Sequence, residues 1–179
     1  MAIVKRKRRN RFRFDLRDFP ALNNNNHHVT SDARDGQNCI DYAAGDDIHF
    51  WWPISKDDFP GRFPPPYFWP IDAPCEATLE AFVVAFMTVG FHTCDDGEDG
   101  CLEDGTEKIA IFANRNEPTH AAVQSPRRNG KWRSKMGINE DIEHDLQVLV
   151  GPLYGQVALF MKRSFAERRD AAKKPPLSH

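Results

Sequence analysis

The chain has 179 residues, 40% of them hydrophobic and 28% charged, which bounds it at one domain or two small ones. A mean hydropathy of -0.61 and the lack of any long apolar run exclude a membrane-spanning helix. The net charge of -2 is the sum of a +7 start over residues 1–14, a -13 body over 15–161 and a +4 end over 162–174, so an acidic body carries two basic ends.

The basic start has no apolar stretch behind its charges and lacks the form of a secretory signal. Cys39, Cys75, Cys94 and Cys101 are too few and too irregular for a disulfide scaffold, and no pair has Cys-x-x-Cys spacing. A reduced, cytoplasmic protein is expected, with signal-independent export left open. Residues 1–14 read as a flexible arm. Such an arm can make weak contacts to nucleic acid through counterion release, or it can be a solvated tail. No membrane partner is expected, and the oligomeric state is open.

In chain order, Asn23-Asn-Asn-Asn-His-His28 reads as a polar loop. Cys39–Ala44 is a short helical run begun by Gln37 or Asn38 and ended by Gly45. Residues 50–70 hold three of the four tryptophans and many prolines. That density forbids a regular helix or central strand, and an ordered loop packed on the body is expected. Asp72 is read as the N-cap of a helix on which Leu79, Phe82, Val83, Phe86 and Val89 recur at helical spacing. Residues 94–107 form an acidic loop. Strands are predicted at 108–113, 119–124 and 131–135, with Asn129-Gly130 turning between the last two. A helix is predicted from about Glu140 with Ile142, Leu146 and Leu149 on one face. A last strand, 155–161, precedes a charged, frayed helix that closes the chain. The expected architecture is α+β with a small antiparallel sheet, as one domain over 15–163 followed by a tail over 164–179.

Phosphate-loop, dinucleotide, zinc-protease and serine-elbow motifs are all absent. The acidic loop fails the calcium-hand spacing. Counted from Asp95, Gly97 and Thr106 stand where acidic ligands belong. No metal and no cofactor are expected.

Cys39 and His120 remain. A cysteine at a helix start is favoured as thiolate by the unpaired amides there. A thiol nucleophile also needs an imidazole to move its proton, and His120 near the start of a predicted strand can supply it. A third group must orient the ring. Ser134 on the neighbouring strand can accept a hydrogen bond, and Asn139, Asp141 and His144 also qualify. Gln37 and Asn38 are candidate oxyanion donors with the Cys39 amide. Trp51, Trp52 and Trp69 either line a substrate cleft or pack as a loop over the core.

Several phrases occur in series. They are Gln37-Asn-Cys-Ile-Asp-Tyr-Ala-Ala-Gly45, Trp51-Trp-Pro, Tyr67-Phe-Trp-Pro70, Thr119-His-Ala-Ala-Val-Gln124 and Gly130-Lys-Trp-Arg-Ser-Lys-Met-Gly137. This series resembles an uncharacterised family of small bacterial proteins with Asn-Cys-x-x-Tyr/Trp-Ala, Thr-His-Ala-Ala and Trp-x-Ser-Lys-x-Gly signatures. More distantly it is similar to papain-like hydrolases of the NlpC type. The resemblance implies a papain-like α+β fold with Cys39 as nucleophile and His120 as base. The position six before the cysteine, where papain carries its oxyanion glutamine, is Ala33.

The expected function is hydrolysis or acyl transfer at an amide bond, of a peptide, isopeptide or side-chain amide. The alternatives are a non-catalytic interaction or immunity-type module with a protein or peptide partner, and a nucleic-acid-associated protein using the basic arm.

Overall fold

The computed structural model describes residues 13–54, 67–95, 100–125 and 129–171. Its strands are β1 (His27–Val29), β2 (Phe50–Trp51), β3 (Tyr67–Phe68), β4 (His92–Thr93), β5 (Thr106–Asn114), β6 (Glu117–Gln124), β7 (Trp132–Lys135), β8 (Asp141–His144) and β9 (Gln156–Ser164). Its helices are α1 (Cys39–Ala44), α2 (Leu79–Met87) and α3 (Phe165–Ala171). Seven strands form one antiparallel sheet in the order β1-β8-β7-β6-β5-β9-β4. The remaining two, β2 and β3, make a separate two-residue parallel pair. Most of the predicted basic arm, the prolines of 55–66, the centre of the acidic loop and residues 172–179 lie outside the described residues.

This overturns the papain-like α+β expectation. The described chain is mostly β, and its helices span only six, nine and seven residues. Two local readings caused the error. The helix expected from Glu140 is a strand, Asp141–His144, followed by a 3-10 turn at Leu146–Leu149. Ile142, Leu146 and Leu149 have helical spacing in the sequence, but it is a strand followed by a turn that brings them into one core. The Asn/His patch runs into β1, which pairs His27 with His144 and Val29 with Ile142. Each change adds a strand to the sheet.

The period-two alternation of strands separates two cores. Ile109, Ile111, Ala121 and Met161 face α1, α2 and the buried Trp51. Ala110, Phe112 and Ala122 face the other way, toward Trp132, Ile142, Leu149 and the N-terminal residues Phe19 and Leu22. Thr78, not Asp72, caps α2, accepting from the Ala81 amide at 3.3 Å. The buried residues Ala81, Phe82, Ala85 and Phe86 carry its inward face, each phenylalanine contributing about 2 kcal/mol by burial. No helix among the described residues is long and apolar enough to cross a membrane.

Candidate functional site

Cys39 is the first residue of α1, and its position is fixed from both ends of the helix. Asn38 caps the start. Its Oδ1 accepts from the amides of Ile40 at 2.7 Å and Asp41 at 3.1 Å, while Asp41 Oδ2 accepts from the Asn38 amide at 2.9 Å. This is a reciprocal capping box. Gly45 closes the other end in the left-handed conformation, φ 81°, where a side chain would be strained. Asn38 Nδ2 donates to the Trp51 carbonyl at 2.8 Å, and Gln37 Nε2 to the Asp46 carbonyl at 3.1 Å. Both predicted oxyanion side chains are therefore spent on holding the loop. The amides that act on the sulfur are those of the backbone, at Ala121, Cys39 and Ile40, which favour thiolate. Burial outweighs them and pushes the Cys39 thiol up to about 12.

His120 sits on β6 opposite Phe112. Its Nε2 lies 2.8 Å from Ser134 Oγ, and the same oxygen lies 2.8 Å from His144 Nε2. His144 Nδ1 in turn lies 2.8 Å from the Asp145 carbonyl. All three side chains are fully buried. Burial, and then the neighbouring His144, hold His120 well below the ordinary imidazole value, so the ring is neutral at neutral pH. The Tyr154 ring lies flat on it, centroids 4.0 Å apart. Tyr154 is presented by a tight turn bridged between Gly151 and Gly155 and tied by Thr119 Oγ1, which donates to the Tyr154 carbonyl at 2.6 Å. A Cβ at Gly155 would fall 2.0 Å from the Ala113 carbonyl oxygen, and φ there is 73°, so only glycine fits.

The structure thus brings His120 and Ser134 together, and it packs Cys39 in one core with Ala121, the residue next to His120. The β6–β7 ladder holds two pairs, Val123 with Arg133 and Gln124 with Trp132. Helix α1 lies against both strands, and the Ala121 amide, beyond the end of that ladder, acts on the Cys39 sulfur. His120 is the next residue along the chain. Its Nδ1 is buried with no hydrogen-bond partner, so no bond to the thiol is formed. Strand alternation accounts for the gap. Ala121 packs in the core of Cys39, while the His120 ring packs edge-on to Phe112 in the other core. Burial, and then Cys39, raise the Tyr154 phenol.

The remaining candidates have structural partners. Lys135 Nζ donates to the Asn139 carbonyl and lies 3.9 Å from Asp141 Oδ1, which places Asn139 and Asp141 around that lysine. Trp51 is 1% exposed, and its Nε1 donates to Asp46 at 2.9 Å, so its ring has no face left for a ligand. Trp52 and Trp69 are half-buried against Phe82, at 5.7 and 5.0 Å between ring centroids. Trp69 Nε1 donates to the Pro74 carbonyl at 2.8 Å. No group of three or more histidine, cysteine or acidic side chains among the described residues is placed to hold a metal. Tyr154 and the Ala121 amide were missed from sequence. A tyrosine preceding glycine in a turn carries no signal for a ring 34 residues away, and a backbone amide carries none at all.

Fold and site define a mostly β protein on a seven-stranded antiparallel sheet, with a buried thiol and, through Ser134, a linked pair of buried histidines. A family model described as a domain of unknown function, DUF7689, matches residues 28–162, and the chain belongs to that family. No curated protein and no solved structure matches it.

Proposed function

We propose that the protein is a thiol-dependent amide hydrolase or acyl transferase acting on a peptide, isopeptide or side-chain amide. One observation carries this reading. His120 has one ring nitrogen engaged by Ser134 and the other buried without a partner, next to the residue whose amide acts on the Cys39 sulfur. An unpaired imidazole nitrogen in an apolar site costs free energy unless something uses it.

Cys39 Sγ attacks the carbonyl carbon of the substrate, and the thiol proton passes to His120 Nδ1 as the carbon–sulfur bond forms. Because thiol and imidazole are both neutral at rest, the proton moves during attack, as general-base catalysis, not beforehand as an ion pair. The Cys39 backbone amide, the one at the start of α1 that the capping box does not use, stabilises the oxyanion. The carbon–nitrogen bond breaks, and His120 returns the proton to the departing amine. Water, or another amine or hydroxyl, then attacks the thioester and frees the thiol. A cytoplasmic location fits the free thiols of Cys39 and Cys75.

The non-catalytic module is favoured by a different observation: Cys39 is 9% exposed and its thiol is pushed up to about 12. A panel of peptide and side-chain arylamides separates the two. Turnover abolished in a folded Cys39→Ser protein is the result expected of the hydrolase. Absence of turnover across the panel, with partner binding retained by Cys39→Ala, is the result expected of the module.

A further inference from the structure

We infer that His144 is a positioning residue that acts through Ser134 to fix which nitrogen of His120 is free to accept a proton. The inference follows from counting hydrogens along the chain of contacts from the Asp145 carbonyl to His120. A carbonyl oxygen has no proton to give, so His144 Nδ1 must be the donor in its 2.8 Å contact with Asp145. Burial holds His144 down at about 4, even with the neighbouring Asp145 carboxylate opposing and His27 and Lys131 adding to the drop, so the ring is neutral at neutral pH. Its one proton is on Nδ1, and Nε2 is a bare acceptor. Ser134 Oγ has one hydrogen and lies 2.8 Å from both rings. It donates to His144 Nε2, because that nitrogen has nothing to donate. Its lone pairs then accept from His120 Nε2–H. The proton of neutral His120 is thereby placed on Nε2, and Nδ1, the nitrogen without a partner, carries the lone pair.

This direction is set by one backbone carbonyl two side chains away from His120. Without His144 the Ser134 hydroxyl has no acceptor on that side. It can turn and donate to His120 Nε2, which would put the His120 proton on Nδ1 and remove the base. The positioning role rests on the thiol reading above, whereas the hydrogen count stands by itself.

Nitrogen-15 spectra of the histidine rings in the full-length protein at pH 7 test it, with His120 signals assigned by their loss in His120→Gln. The expected wild-type pattern is His120 protonated on Nε2 and His144 protonated on Nδ1. His144→Phe should shift His120 toward the Nδ1-protonated form and slow Cys39 acylation by p-nitrophenyl acetate at least tenfold. His144→Gln, whose carbonyl can accept from Ser134, should restore the Nε2 form and most of the rate. It also serves if the phenylalanine variant fails to fold. Wild-type His120 protonated on Nδ1, or a tautomer unchanged in folded His144→Phe, overturns the relay. The expected tautomers with no acylation of Cys39 support the relay and overturn the thiol reading instead.

Discussion

The rings of His120 and Tyr154 are stacked within 6° of parallel, 4.0 Å between centroids. Burial, and then Cys39, raise the Tyr154 phenol. Tyr154→Phe keeps the stack and should leave stability within about 1 kcal/mol of wild type. Tyr154→Ala opens a gap over His120 and should cost about 2 kcal/mol in urea unfolding. The same alanine should lower Cys39 acylation at a temperature where the fold is intact, because His120 then loses the surface that fixes its ring.

Two buried groups should give stability opposite slopes with pH. His144 falls from 6.5 to about 4 on folding, so the unfolded chain takes up a proton first as the medium is acidified. Its contribution is full above about pH 6.5 and declines as pH drops toward 4. Asp41 rises from 3.8 to about 7, chiefly through burial, so the unfolded chain ionises first as pH increases. Its contribution is full below about pH 3.8 and is lost as pH rises through 7. Urea melts at pH 5 and pH 8 on wild type and Asp41→Asn separate the two. The variant should gain stability at pH 8 relative to pH 5, since its amide oxygen can still accept from Asn38 and Trp51.

Arg163 is 2% exposed and is held by Glu107 at 2.7 Å, by the Val89 carbonyl at 2.9 Å and by the Phe91 ring face at 4.1 Å. Glu107 also accepts from Arg168 at 2.8 Å. Glu107→Ala would leave a buried guanidinium without its counter-charge and should cost about 3 to 5 kcal/mol. Thermal or urea unfolding checks it, and a loss below about 1 kcal/mol would mean that water reaches Arg163.

What was legible in the sequence was local. Asn38, Cys39 and Gly45 mark α1 because capping chemistry acts within a few residues. The apolar runs of β5, β6 and β9 announce strands through their composition. The helix expected at 140–149 fails because Asp141, Glu143 and His144 are buried by contacts to other strands, which no window of sequence displays. Pairing of Ser134 with His120 was read from adjacent strands and needed only the β6–β7 turn. The separation of Cys39 from His120 was not legible, because it depends on which face of β6 the helix α1 covers, and that is set by packing between distant elements.

The most direct test is mass spectrometry of the protein exposed to p-nitrophenyl acetate, a small activated ester, with adducts mapped to residues. A transient acetyl group on Cys39, formed roughly 100-fold more slowly in a folded His120→Ala variant, is the predicted result. Acetylation confined to the exposed Cys75 and Cys101, or a Cys39 rate indifferent to loss of His120, would contradict the account.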